Sequence, residues 1–212
     1  MKVKICGITN QKDAMWASGL GADYLGFNFY KESQRRASLD MAGKIISGLP
    51  SFVQAVGIFV RAEIKDILKV LKKCDLKLIQ LHGDEPPGYC EELKENLKTK
   101  HPGMQIIKAF RINNEPAIEM ISGYNVDYYL LDTYVPGMEG GTGEVFNWEF
   151  AVQIKKLGTP VFLAGGLTSE NVKEAIDVVN PYCVDVASGV EISIRKKDYE
   201  KLKNFIYNAK GA

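Results

Sequence analysis

The chain lacks long hydrophobic runs, a charge excess of either sign, and clustered cysteines. Across its 212 residues no apolar stretch approaches the roughly 20 residues that a helix needs to span a bilayer. The N-terminus has no extended apolar segment of signal-peptide type, so no secretory signal is evident. Lys and Arg number 27 against 26 Asp and Glu, a formal net charge of +1. That balance gives no electrostatic reason to expect nucleic acid or a membrane surface as partner. The four cysteines, Cys6, Cys74, Cys90 and Cys183, are scattered without a C-x-x-C pair or a histidine at metal spacing. Free thiols in a reducing, cytoplasmic setting are expected, and no metal site. No Pro/Ser-rich linker and no low-complexity tract divides the chain. Residues 1–212 are therefore expected to form one domain, large enough to bury one substantial core.

What is present is a repeating alternation. Lys2 to Cys6 reads as a strand, and Gly7 follows it. Thr9 or Asn10 can cap the next helix, with Asp13 in its first turn. Apolar runs then recur at residues 24–29, 52–59, 78–83, 105–110, 128–132, 161–164 and 184–187. Between them lie helical stripes such as Ile64, Ile67, Leu68 and Leu71, spaced i, i+3, i+4, i+7. The fifth helix, around residues 115–122, is short and weakly patterned. Counted together, these make eight strand-then-helix units of about 26 residues each. An even series of this kind predicts a closed (β/α)8 TIM barrel, of α/β class, in preference to a doubly wound open sheet. A dinucleotide fold would need G-x-G-x-x-G after the first strand, and it is missing.

Side-chain alternation assigns faces. Lys4, Cys6, Gln80, His82, Lys108, Asp132 and Asp185 form the inward set. Val3, Ile5, Ile79, Leu81, Ile107, Leu131, Val184 and Val186 then face the helices. A buried lysine needs a carboxylate or it loses its proton. Closure sets the last strand beside the first, so Lys4 is expected to pair with Asp185.

The strand exits carry the candidate chemistry, because barrels of this type keep their sites at the carboxyl ends of the strands. Gly165-Gly166 and Ser188-Gly189 follow strands seven and eight, where a phosphate site recurs in this architecture. Tight turns alone are the competing reading. Cys6 and Asp132 end strands one and six, on opposite sides of the mouth. A ligand between them could meet a base on one side and an acid on the other. A thiol base needs its anion favoured, and a carboxyl acid needs its pKa raised. Taken alone, Cys6 could equally be a buried structural thiol, and Asp132 an interior carboxylate satisfied by a lysine. Arg35 offers a planar fork for a carboxylate, although a solvated loop charge is the simpler reading. His82 reads as a satisfied interior histidine, and Arg195-Lys196-Lys197 as a solvated stretch. The run Gly140, Gly141, Thr142, Gly143 could be a mobile lid.

Several strings together resemble the phosphoribosylanthranilate isomerase family of tryptophan biosynthesis. They are Lys4-Ile5-Cys6-Gly7-Ile8-Thr9, Gln80 to Glu85, Leu130-Leu131-Asp132-Thr133, Gly140 to Gly143, Ala164 to Leu167, and Asp185 to Glu191. The resemblance runs in order along nearly the whole chain. It implies a cofactor-free Amadori rearrangement of a phosphorylated small molecule. By matching position, Cys6 is the implied general base and Asp132 the implied general acid. Arg35 is the implied ligand of the anthranilate carboxylate, with Arg36 an open alternative. Gly165, Gly166, Ser188 and Gly189 match the phosphate loops, and Asp185 lies beside them. A histidine-pathway barrel with similar chemistry is the rival enzyme, but it would be expected to use paired aspartates where this chain has Cys6. A non-catalytic barrel binding a phospho-ligand is the rival of a different class. Monomer and homodimer both remain open.

Overall fold

A computed structural model describes residues 1–111, 118–132 and 148–211. Eight parallel strands close into a barrel in sequence order. They are β1 (Lys2–Ile5), β2 (Tyr24–Asn28), β3 (Gln54–Phe59), β4 (Leu78–Leu81), β5 (Gln105–Arg111), β6 (Tyr128–Asp132), β7 (Val161–Ala164) and β8 (Cys183–Val186). Around them run α1 (Gln11–Gly19), α2 (Leu39–Ser47), α3 (Ile64–Leu71), α4 (Pro87–Lys100), α5 (Ile118–Ser122), α6 (Glu149–Lys155), α7 (Val172–Val179) and α8 (Tyr199–Lys210). Closure is a register fact: Lys2, Val3, Lys4 and Ile5 of β1 pair with Cys183, Val184, Asp185 and Val186 of β8.

Local chemistry starts the helices where the sequence says they should start. Asn10 caps α1 by accepting the Asp13 N–H at 2.9 Å, and its amide returns a bond to the Asp13 carboxylate at 2.8 Å. Ser38 caps α2 and Asp198 caps α8 in the same way. Each helix then buries one stripe. In α8 the buried residues Leu202, Phe205, Ile206 and Ala209 repeat at i, i+3, i+4 and i+7. Full burial of each large apolar side chain there contributes about 1.5–3 kcal/mol.

The core has two compartments. Val3, Ile5, Leu25, Phe27, Ile79, Leu81, Leu131, Leu163 and Val184 face the helices, in one cluster with Ala14, Ile45, Ile67, Leu93, Ile176 and Phe205. The lumen holds Tyr24, Val56, Leu78, Ile107, Ala109, Leu130, Phe162 and Cys183. At its amino-terminal end, Tyr24 and Tyr182 share a hydroxyl–hydroxyl bond of 3.0 Å, and Gln105 donates to the Tyr128 hydroxyl at 3.2 Å. Tyr128 also meets Phe162 edge to face, and Tyr182 packs on it at a tilt. These rings fill the lower lumen, which leaves the carboxyl ends of the strands as the face able to hold a ligand.

Three expectations need correction. Ile107 lies in the lumen and Lys108 faces the helix layer, the reverse of the assignment from alternation. Every position of β5 from Ile106 to Phe110 except Lys108 is apolar, so alternation there is silent. Lys108 is satisfied outside the barrel: its ammonium donates to the Gly83 carbonyl at 2.7 Å and to Glu85 at 2.9 Å. The third strand begins at Gln54 and not at Phe52, which stands 66% exposed. After β8 comes a 3-10 turn (Ser188–Val190), then a small antiparallel hairpin of β9 (Glu191–Ser193) and β10 (Lys196–Lys197). Lys197 is therefore no part of a solvated stretch; it is 3% exposed. The expected lid, Gly140, Gly141, Thr142 and Gly143, lies outside the described residues.

Candidate active site

Cys6 is the first residue past β1, and its N–H is held by the Val186 carbonyl at 2.8 Å. Alternation continues one step beyond the strand, so the thiol shares the inward face with Lys4. Lys4 is fully buried, and its ammonium donates to the Asp185 carboxylate at 2.7 Å, the pairing that closure predicts. Burial pushes the Cys6 thiol up, while the Lys4 and Lys197 ammonium groups pull it down; the net shift is upward. Burial likewise pulls Lys4 down, but Asp185 and Cys6 outweigh it, so the ammonium form is held.

Across the mouth, Asp132 ends β6 with its side chain partly exposed, on the lumen parity set by Leu130. His82, just past β4, brings Nε2 to 3.4 Å from the Asp132 carboxylate. The other ring nitrogen, Nδ1, lies 2.8 Å from the amide nitrogen of buried Gln80. The interior histidine expected from sequence is thus tied on one side to the barrel wall and on the other to the carboxylate at the mouth.

Of the two adjacent arginines, Arg36 is exposed and Arg35 is turned inward. Its stem crosses Gly7, where a Cβ would lie 2.7 Å from the Arg35 Cδ. Gly7 also has φ +78°, so no other residue suits this crossing. Arg35 is gripped by Glu191: Nε donates to one carboxylate oxygen at 2.9 Å and Nη2 to the other at 2.6 Å. The Glu191 hydrogen bonds raise the Arg35 pKa further. Burial works against the Glu191 anion, but Arg35 and Lys197 prevail and hold it below the usual carboxylate range. Neither Glu191 nor Lys197 is singled out by sequence reasoning. Glu191 closes the Ser-Gly-Val-Glu string, the one available hint; Lys197 is hidden among exposed neighbours of like charge.

The two glycine loops come together. A Cβ at Gly189 would fall 2.0 Å from the Leu167 carbonyl, so the loops after β7 and β8 are in direct backbone contact. Beyond Gly165 and Gly166, Asn171 accepts from the Thr168 N–H at 2.8 Å and donates to the Gly166 carbonyl at 3.0 Å. That side chain fastens the loop to the start of α7. Among the described residues, no group of three or more His, Cys, Asp or Glu side chains could hold a metal ion. No helix among them is long and apolar enough to cross a membrane.

A family model described as N-(5'phosphoribosyl)anthranilate (PRA) isomerase matches residues 3–208. The chain belongs to that family. A relative named N-(5'-phosphoribosyl)anthranilate isomerase, from Trichlorobacter lovleyi, is 47% identical over 212 residues, covering 100% of this chain and 99% of the relative. The crystal structure of phosphoribosyl anthranilate isomerase from Thermotoga maritima superposes with a TM-score of 0.90 at 42% identity, covering 100% of both chains. A phosphoribosyl anthranilate isomerase crystallised with reduced 1-(o-carboxyphenylamino)-1-deoxyribulose 5-phosphate gives a TM-score of 0.87 at 40% identity, again covering 100% of both. Membership in this isomerase family accounts for the order of the motifs along the chain. It leaves the part played by each side chain to be argued from the geometry above.

Proposed function

We propose that the chain isomerises N-(5'-phosphoribosyl)anthranilate to 1-(2-carboxyphenylamino)-1-deoxyribulose 5-phosphate, an Amadori step of tryptophan biosynthesis in the cytoplasm. Asp132 acts as general acid and protonates the furanose ring oxygen. The ring C–O bond breaks as the anilino nitrogen pushes its electron pair in, leaving an open-chain Schiff base. Cys6, as thiolate, takes the C2' proton. The resulting enolamine relaxes to the ketone, with the proton returned to carbon. The substrate nitrogen supplies the electron push, so the chain needs two proton carriers and anion clamps, and no cofactor. Arg35 holds the anthranilate carboxylate, and the backbone of Gly165, Gly166, Ser188 and Gly189 holds the phosphate.

The observation that supports this reading best is the position of Cys6 and Asp132. Both end strands of one closed barrel with inward parity, and β1 and β6 stand on different sides of the mouth. Lys4 and Lys197 pull the thiol pKa down against the burial that raises it, the direction a thiolate base needs. The test follows the loss of anthranilate-amine fluorescence when enzyme meets freshly formed substrate. Cys6→Ala and Asp132→Asn should each lower kcat by about 10²–10⁴-fold or more. Phosphate-ligand affinity should stay largely intact. Wild-type activity retained in Cys6→Ala would remove the thiol from the mechanism.

A further inference from the structure

Glu191 and Lys197 are buried charges that the two proton transfers do not use. Burying an ion pair is costly, and a cheaper apolar packing would fill the same space. Their connections point elsewhere. Glu191 spends both carboxylate oxygens on one edge of Arg35, Nε and Nη2. Among the described residues Nη1 has no hydrogen-bond partner, so its donors can meet an incoming carboxylate. Lys197, with a fully buried side chain, donates to Glu191 at 3.2 Å and to the Ala187 carbonyl at 2.8 Å. Ala187 lies between Val186, whose carbonyl holds the Cys6 N–H, and Ser188 of the glycine loop. The hairpin is itself pinned from behind. Asp13 accepts the Lys197 N–H at 2.9 Å, and Thr9 donates to the Arg195 carbonyl at 3.1 Å.

We propose that Lys197 and Glu191 are positioning residues: Glu191 aims Arg35 at the substrate carboxylate, and Lys197 bolts Glu191 to the β8 exit, on the backbone whose Val186 carbonyl holds the Cys6 N–H. One ammonium thereby ties the carboxylate clamp, the phosphate loop and the base to one framework. This rests on the roles given to Cys6 and Arg35 above. The charged groups acting on Cys6 are Lys4 from β1, Asp185 from β8, Arg35 from the β2–α2 loop and Lys197 from the hairpin, whose ammonium burial disfavours and Glu191 helps to hold. From β2, Gly26 approaches: a Cβ there would lie 3.2 Å from the sulfur.

The test pairs two readouts. The first is the pH dependence of iodoacetamide alkylation at Cys6, followed by mass spectrometry of its peptide. The second is steady-state kinetics. Lys197→Met should raise the alkylation midpoint by about one pH unit, so that the rate at pH 7 falls about tenfold, and Lys197→Arg should restore it. Glu191→Gln removes the carboxylate that grips Arg35 and should raise KM about tenfold while changing kcat less than about threefold, because the clamp loses aim and the proton carriers do not. A rise in KM with kcat nearly kept is the signature in Glu191→Gln, since general loosening of the site would lower kcat as well. A midpoint unchanged in Lys197→Met, or a KM unchanged in Glu191→Gln, overturns the proposal. If Lys197→Met does not fold, Glu191→Gln decides alone, and there an unchanged KM is the overturning result. An inactive wild type would instead sink the isomerase reading, while the alkylation profile would still judge this one.

Discussion

Removing one charge from the centre of the barrel gives a sharp test of how the fold is held. Lys4 and Asp185 meet at 2.7 Å with side chains 0% and 7% exposed. The second Asp185 oxygen has no hydrogen-bond partner among the described residues, so the Lys4 ammonium is its main compensation. Lys4→Met keeps most of the length of the side chain and deletes the charge. The carboxylate is then left buried and unpaired, which costs about 3–5 kcal/mol in comparable cases. For a chain of this size each kcal/mol lowers the melting temperature by roughly 2–4 °C, so a drop of about 6–20 °C is expected. The companion variant Lys4→Met/Asp185→Leu replaces the pair with apolar groups and should recover most of the loss. Urea unfolding at pH 7, followed by tryptophan fluorescence and circular dichroism, measures both. The reasoning fails if the single variant costs less than about 1 kcal/mol, or if the double variant is no more stable than the single. Either result would mean that the interior tolerates a lone carboxylate, and that the pair is incidental to closure.

Two further outcomes follow from other parts of the structure. Asp23 accepts from Lys2 at 2.7 Å, from Lys210 at 2.8 Å and from the Val3 N–H at 2.9 Å, fastening the starts of β1 and β2 to α8. Burial opposes its ionisation, but Lys2, Lys210 and Val3 win, so its pKa falls below the ordinary 3.8. A carboxylate depressed on folding contributes stability above its unfolded pKa and loses it as pH falls through the folded value. Asp23→Asn should therefore cost about 1 kcal/mol at pH 7, and its stability curve should converge on that of the wild type below about pH 4; a constant gap down to pH 2 would contradict this. Gly189→Ala would set a methyl 2.0 Å from the Leu167 carbonyl and force the two glycine loops apart. A loss of about 1–3 kcal/mol is expected, together with weaker binding of inorganic phosphate by calorimetry; unchanged affinity would separate these loops from the phosphate site.

The sequence by itself determined the barrel and its end of business. Eight apolar runs alternating with amphipathic stripes leave little choice of topology, because each strand must bury both faces and each helix only one. Alternation then sent Lys4, Cys6, Asp132 and Asp185 inward, and closure alone required Lys4 to find Asp185. Where β5 is apolar on both faces the same rule had nothing to read, and it put Lys108 on the wrong side. Tertiary structure decided what no local pattern encodes. It turned Arg35 inward and left Arg36 exposed, with the Arg35 stem across Gly7 and its guanidinium on Glu191. It buried Lys197 beside exposed Arg195 and Lys196, because a hairpin folds that one side chain back onto the exit of β8. Side-chain periodicity reports which way a residue points along its own element. A charge recruited from a distant turn is fixed by the partner that meets it, and the partner is known only once the chain has closed.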